Sequence, residues 1–392
     1  MEMVVYIKRL NYQWKNFVIK NMKAYIIYRH VLDIKGCDFM VGGIESYLIS
    51  LASVIKSMGI QVTIVQKGIE KFEKQIDGVT YIGLQTKGKK TYKELYKQIK
   101  GNIDENDLII WGSEIESLKT NHKRTICIQH GIDFDYYPVE DSIKNKMLQL
   151  GLGKVVKFIQ RRRALRTFQY SKYKVCVDYN FWNWYRTFVT PKDEKGIFVI
   201  PNFARVQNIT KNAKNAINVV FARRFVRRRG VEIFIDVVKD LLHYKNVTFT
   251  FAGDGPYVDK IKPLVENNRN VFLTKYSPEE SILFHSNYDI AVVPTIGSEG
   301  TSLSLLEAMS AGNAVICTAV GGMTNIILDG YNGLIVKPDS AISIKEAIIK
   351  LLKNDDLRQK ISERAHETIK YSFSFDVWSE KWKKVLKEVI EA

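Results

Sequence analysis

At 392 residues the chain is too long for one ordinary hydrophobic core and fits two domains of about 150 to 200 residues each. An apolar share of 46% and a charged share of 26% exclude a disordered chain, no apolar run reaches the roughly 18 to 20 residues needed to span a bilayer, and no repeat of solenoid period occurs. The formal charge of +17 calls for an anionic partner, whether nucleic acid, an anionic membrane leaflet or a phosphorylated small molecule.

The first stretch, residues 1–21, is basic and lacks a signal-peptide cleavage pattern. It is either an interfacial amphipathic segment or an extension ahead of a natural start at Met22. From Lys23 the run AYIIYRHV predicts a buried strand. Gly42 and Gly43 follow, then an amphipathic helix with Leu48, Leu51 and Ala52 inward and a strand from Gln61 to Val65. The glycine pair lets a backbone approach a ligand closely and the helix aims its N-terminus at it, although an ordinary tight turn accounts for the pair equally well.

Strands are predicted at Val79–Ile82, Leu108–Trp111 and Thr125–Gln129, with a helix over Tyr92–Ile99. The alternation indicates a doubly wound parallel sheet. His130 and Gly131 stand just past the carboxyl end of a strand, where open α/β sheets bind ligands. Lys154–Lys174 holds eight Lys or Arg and no acid. Val155, Val156, Phe158, Ile159, Leu165, Phe168 and Tyr170 interleave with the charges. Such a helix lies on an anionic membrane surface or turns its apolar side to the domain core, and both can hold at once.

After a further strand, an aromatic helix and the strand Ile197–Ile200, the lysine-rich stretch Ala204–Ala216 reads as the interdomain connection. A new alternating series starts at Ile217. Five arginines, Arg223, Arg224, Arg227, Arg228 and Arg229, crowd seven positions at the end of its first strand, a costly concentration unless an anion neutralises it. GDGP, from Gly253 to Pro256, is a tight turn into a helix, and a loop around Tyr276 follows the next strand.

The run Glu299–Gly312, EGTSLSLLEAMSAG, reads as a turn and a helix beginning near Thr301. Its leading N–H groups, those of Thr301, Ser302 and Leu303, suit a phosphate. Two carboxylates, Glu299 and Glu307, flank that helix start. On spacing alone they are a cap and a solvated face residue, or acceptors for hydroxyls of a ribose and a sugar whose diphosphate lies between them. Cys37, Cys127, Cys176 and Cys317 show no metal or redox spacing, so free thiols in the cytoplasm are expected.

The motifs occur in an order that resembles glycosyltransferase family 4. Glu299 to Glu307 is similar to the E-x7-E signature; Gly42, Gly43 and Glu45 to a GGxE loop; His130–Gly131 to a His motif; and the arginine loop to GRxxxxKG, with Ala222 in place of the first Gly and Arg229 in place of Lys. Asn325 stands where GGxxE has an acid. The resemblance implies the GT-B fold: two Rossmann-like α/β domains with parallel sheets facing across a cleft. It divides the chain into an acceptor-side domain at 1–202, a nucleotide-sugar domain at 203–372, and a last helix at 373–392 that crosses back to the first.

The function so implied is that of a retaining hexosyltransferase moving a sugar from a UDP- or GDP-sugar to a saccharide or lipid-linked acceptor in bacterial surface polysaccharide synthesis. The resemblance makes His130 and Glu299 the catalytic residues, contacting and orienting the sugar. Arg223, with Arg224 as its alternate, and Arg229 bind the donor diphosphate beside Gly42, Gly43, Thr301, Ser302 and Leu303, and Glu307 takes the ribose. With arginines and helix amides neutralising the diphosphate, neither a metal nor any other cofactor is expected. A peripheral site on the inner face of the plasma membrane, reached through Lys154–Lys174, is expected too. No recognised nucleic-acid module occurs, so no nucleic-acid partner is expected. The rival reading is a nucleotide-sugar-binding subunit without turnover.

Overall fold

The computed structural model describes residues 22–88, 90–132, 143–190, 195–207, 216–297 and 299–392. The extension 1–21 and most of the connection Ala204–Ala216 lie outside the described residues.

Short runs rich in Ile, Val and aromatic residues form strands buried on both faces, as parallel sheets require. The first group is β1 (Lys23–Ile27), β2 (Gln61–Lys67), β3 (Phe72–Ile76), β4 (Val79–Leu84), β5 (Leu108–Trp111), β6 (Thr125–Gln129), β7 (Tyr173–Cys176) and β8 (Ile197–Val199). Among the described residues they make an eight-stranded sheet in the order β3-β4-β2-β1-β5-β6-β7-β8. All its pairs are parallel except β3 with β4. That edge hairpin, which the sequence reading did not place, turns on Asp77 and Gly78 at φ 50 and 72, the two positive values a type I′ turn demands.

The second group is β9 (Ile217–Ala222), β10 (Val247–Ala252), β11 (Val271–Thr274), β12 (Ile290–Val293), β13 (Ala314–Thr318) and β14 (Leu334–Val336). These form a wholly parallel six-stranded sheet, β11-β10-β9-β12-β13-β14. Each sheet reverses its winding beside its first strand, between β1 and β5 and between β9 and β12. The crevice beyond the carboxyl ends of such strands is where open α/β sheets take ligands.

Helices cover both sheets. In the first domain these are α1 (Gly43–Ser57), α2 (Thr91–Ile99), α3 (Ile143–Gln149), α4 (Gly153–Phe168) and α5 (Tyr179–Arg186). In the second they are α6 (Val231–Leu241), α7 (Val258–Glu266), α8 (Ser281–His285), α9 (Leu303–Ser310), α10 (Ala341–Leu352) and α11 (Asp355–Thr368). The final helix, α12 (Phe375–Glu391), returns to the first sheet. Its Trp378, Trp382, Val385, Leu386 and Val389 join the core built by Leu48, Ala52 and Ile110, each large side chain contributing about 1.5–3 kcal/mol of apolar burial. Trp382 Nε1 donates to Tyr47 Oη at 2.9 Å. The two passages between domains run side by side, with Ala204 N donating to Phe373 O at 2.9 Å.

The expectation that the basic helix turns an apolar side to the core holds on one face of α4, and the other face lies in solvent. Val156, Ala164, Thr167 and Phe168 are buried, while Val155, Phe158 and Ile159 are exposed at 46%, 58% and 56%. Arg162 lies over the Phe158 ring at 5.5 Å. Among the described residues no helix is long and apolar enough to cross a membrane.

Candidate active site

The arginine loop leaves β9 at the winding reversal. Gly230, at φ 79, ends it, and any side chain there would strike the Pro294 carbonyl. That close approach draws the loop onto the end of β12, which puts Arg223 and Arg229 beside Glu299. Arg223 Nη2 donates to Glu299 Oε2 at 2.7 Å and to Ser302 Oγ at 3.4 Å, and its Nη1 donates to Thr295 Oγ1. Arg229 Nη1 donates to the same Oε2. Thr295 Oγ1 adds a third bond to that oxygen at 3.0 Å. The sequence reading gave the arginines to a diphosphate and Glu299 to a sugar; in the structure they hold each other.

That pairing has a physical cause. Two buried guanidiniums side by side repel, and a shared carboxylate makes their burial affordable. Burial pulls the Arg223 guanidinium down to about 10. Burial and then the neighbouring Arg223, Arg228 and Arg224 pull Arg229 well below its usual range. The Arg223 side chain is 5% exposed and that of Arg229 21%, so Arg229 is the arginine a bound anion can reach more readily. Arg224 points to solvent.

Helix α9 starts at Leu303, two residues later than expected, with Ser302 as its N-cap. Its leading amides, with Ser302 and Leu303, open beside the arginines. Thr301 takes a different part: its Oγ1 donates to Val177 O in the first domain, and its carbonyl accepts from Asn202 Nδ2 at 2.6 Å. One turn into α9, Glu307 accepts from Ser281, and burial pushes its carboxyl up to about 7 against that bond. Tyr276 stacks on Phe284 at 4.3 Å nearby, its hydroxyl raised first by burial and then by Glu307.

Across the junction, His130 Nε2 sits 2.9 Å from Gly112 O. A carbonyl only accepts, so Nε2 carries the proton and Nδ1 is left as an acceptor. Burial lowers His130 to about 4, the Gly112 carbonyl opposing, so it is neutral at pH 7. Its ring meets Tyr47 edge-on at 5.3 Å. Gly43 begins α1, and a Cβ there would lie 3.2 Å from Leu303 Cδ1; two helix N-termini thus face the same junction. Gly42 is the N-cap of α1, with the Glu45 carboxylate folded against it. A Cβ on Gly300 would be 2.6 Å from His130 O, so the domains meet at the loop that holds Glu299.

Asn325, where the resemblance has an acid, accepts from Tyr179 N at 3.1 Å, across the same seam. Sequence reasoning missed Thr295 and Ser281; a hydroxyl directly past a strand end, as at Thr295, was the available signal. It also passed over Asp133 and Asp135, an Asp-x-Asp spacing just after the His130 motif, when it expected no metal. Both lie outside the described residues. Among the described residues no cluster of three or more His, Cys, Asp or Glu is placed to hold a metal.

Residues 202–368 match the family model described as Glycosyl transferases group 1. An uncharacterized glycosyltransferase of Methanocaldococcus jannaschii is 28% identical over 70% of this chain and 70% of its own length. Other curated relatives match over less than half of theirs. Sucrose-phosphate synthase from Thermosynechococcus elongatus superposes with a TM-score of 0.75 at 16% identity, covering 95% of this chain and 100% of that one. A Staphylococcus aureus TarM variant in complex with fondaparinux, α-GlcNAc-glycerol and UDP has a TM-score of 0.68 at 16% identity, covering 93% and 99%. The architecture is the GT-B fold, two parallel-sheet α/β domains meeting at their ligand-binding edges. With that fold and the matched domain, the chain is a glycosyltransferase.

Proposed function

We propose that the protein is a retaining, metal-independent glycosyltransferase that takes a sugar from a nucleoside diphosphate sugar to a saccharide or lipid-linked acceptor of bacterial surface polysaccharide, at an anionic membrane surface. The observation that carries this is the convergence of Arg223, Arg229, Glu299 and the start of α9 on one loop, at the winding reversal of the second sheet and against His130. The TarM structure, with UDP and saccharides bound, supports the donor and acceptor classes.

In this reading the diphosphate lies over the first amides of α9 and Arg229, whose positive charge stabilises the leaving nucleoside diphosphate. Glu307, facing Ser281 and Tyr276, accepts from the ribose hydroxyls. Glu299 Oε1, which takes none of the three bonds to its partner oxygen, receives a hydroxyl of the sugar, and neutral His130 offers Nδ1 to another. An acceptor oxygen then bonds to the anomeric carbon on the face from which the diphosphate oxygen departs, and the acceptor proton passes to that departing oxygen. Such positioning is a large part of what a transferase supplies. The basic, apolar outer face of α4 would bring the first domain to a membrane holding the acceptor.

The test is nucleoside diphosphate release from a panel of UDP- and GDP-sugars by the purified protein in excess EDTA. Turnover within about twofold of the metal-supplemented rate, with at least a hundredfold loss in Arg229→Met, is expected. Release that vanishes with EDTA removes metal independence and turns attention to Asp133 and Asp135. No release and no thermal shift with any member of the panel would overturn the donor assignment.

A further inference from the structure

Thr295 is fully buried and was not among the residues the motifs single out, yet its hydroxyl stands between the two charged groups the site depends on. An arginine only donates and a carboxylate only accepts, so the direction of the hydroxyl proton is forced: Arg223 Nη1 gives to Thr295 Oγ1, and Thr295 gives its single proton to Glu299 Oε2. The residue is itself fixed. Its carbonyl accepts from Thr318 Oγ1 at 2.5 Å, Thr318 is also fully buried, and a β-branched side chain has few χ1 choices.

The geometry points to Thr295 as a positioning residue that commits one oxygen of the Glu299 carboxylate to the arginines and leaves the other to the donor sugar. A carboxylate held by two arginines alone can rotate to meet both through both oxygens, the bidentate geometry guanidiniums favour. The third bond, from a hydroxyl behind Oε2, blocks that rotation and keeps Oε1 turned away from the guanidiniums. Thr295 touches no reacting atom in this scheme; it acts through Glu299. The inference rests on the donor reading above and adds to it the residue that sets the orientation of the sugar contact.

Because the diphosphate engages arginines and amides while the sugar engages Glu299, the two ligand halves report separately. The measurement is calorimetric titration of UDP, GDP and ADP, and of their glucose and N-acetylglucosamine donors, into wild type, Thr295→Val and Thr295→Ser, with nucleoside diphosphate release as turnover. Thr295→Val should hold the nucleoside diphosphate within about threefold but lose about tenfold or more in turnover of the matching sugar donor, and Thr295→Ser should recover most of it. The assignment is overturned if Thr295→Val turns over the donor as wild type does. It is overturned equally if the diphosphate and its sugar donor weaken by the same factor with no rescue by Ser, which marks a merely structural hydroxyl. Wild type that binds no nucleoside diphosphate takes down the donor reading and this inference together, a result distinct from either variant outcome.

Discussion

Glu307 carries a carboxyl raised from 4.5 to about 7 by burial, and the shift has a sign that can be measured. Between those values the folded protein binds more protons than the unfolded chain, so this group's contribution makes stability fall as pH rises through that window, and the cost is complete above it. Glu307→Gln should therefore match wild type in Tm below pH 4.5 and exceed it above about pH 7, as read by thermal melts across pH. If the ribose is held by the ionised form, nucleoside diphosphate affinity should strengthen from about pH 6 to pH 8 in wild type and stay flat in Glu307→Gln. At this scale the sequence was legible where a motif has fixed spacing: Glu299 lies with Arg223 and Arg229 on the loop that meets His130. What it could not show was who holds whom. The bonds from Arg223 and Arg229 to Glu299 and the Thr295 hydroxyl behind them depend on loop paths, set by a contact as local as Gly230 against Pro294.

Single elements tell a similar story with a different cause. The strand Phe72–Ile76 escaped a reading built on apolar runs because an edge strand pairs on one side only and can be mostly polar; its FEKQI alternates between half-buried and exposed. Asp77-Gly78 was nevertheless a legible hairpin signal. Helix α4 shows the opposite difficulty. Its interleaved charges leave almost no amphipathic period, and only the structure separates Val156, Ala164 and Phe168, turned inward, from Val155, Phe158 and Ile159, turned out. Exposed apolar side chains among arginines favour an interface with anionic headgroups. Phe158→Glu combined with Ile159→Glu should leave the Tm within a few degrees but reduce co-flotation with vesicles containing anionic phosphatidylglycerol by about tenfold or more. Equal flotation of the variant would remove α4 from membrane contact, as would equal binding of wild type to neutral phosphatidylcholine vesicles.

On the scale of the molecule, the two domains touch through the loop that holds Glu299. Gly300 has the His130 carbonyl where a Cβ would stand, at 2.6 Å, and Val177 Cγ2 at 3.1 Å. A single methyl at that point presses on the His130 backbone, which cannot turn aside as a side chain can, and so pushes the first domain away from the second. Gly300→Ala is expected to lose about tenfold to hundredfold in turnover while scattering in solution reports a larger radius of gyration and the melting temperature moves little. Wild-type turnover in that variant would show that the seam is not part of the working geometry. The two-domain layout was legible from the renewed strand–helix series at Ile217; the closeness of the seam was not, because at Gly300 it depends on the position of the His130 backbone, which no residue type announces.

The path of α12 has a bearing on how the molecule is made. Trp378, Trp382 and Val389 complete the core around Leu48 and Ile110, yet they are translated after the whole second sheet. On the ribosome the second domain can finish folding from its own contiguous sequence, while the first, although synthesised earlier, waits with an open apolar groove until α12 emerges. The core of the first domain is thus complete only after the second domain has been synthesised.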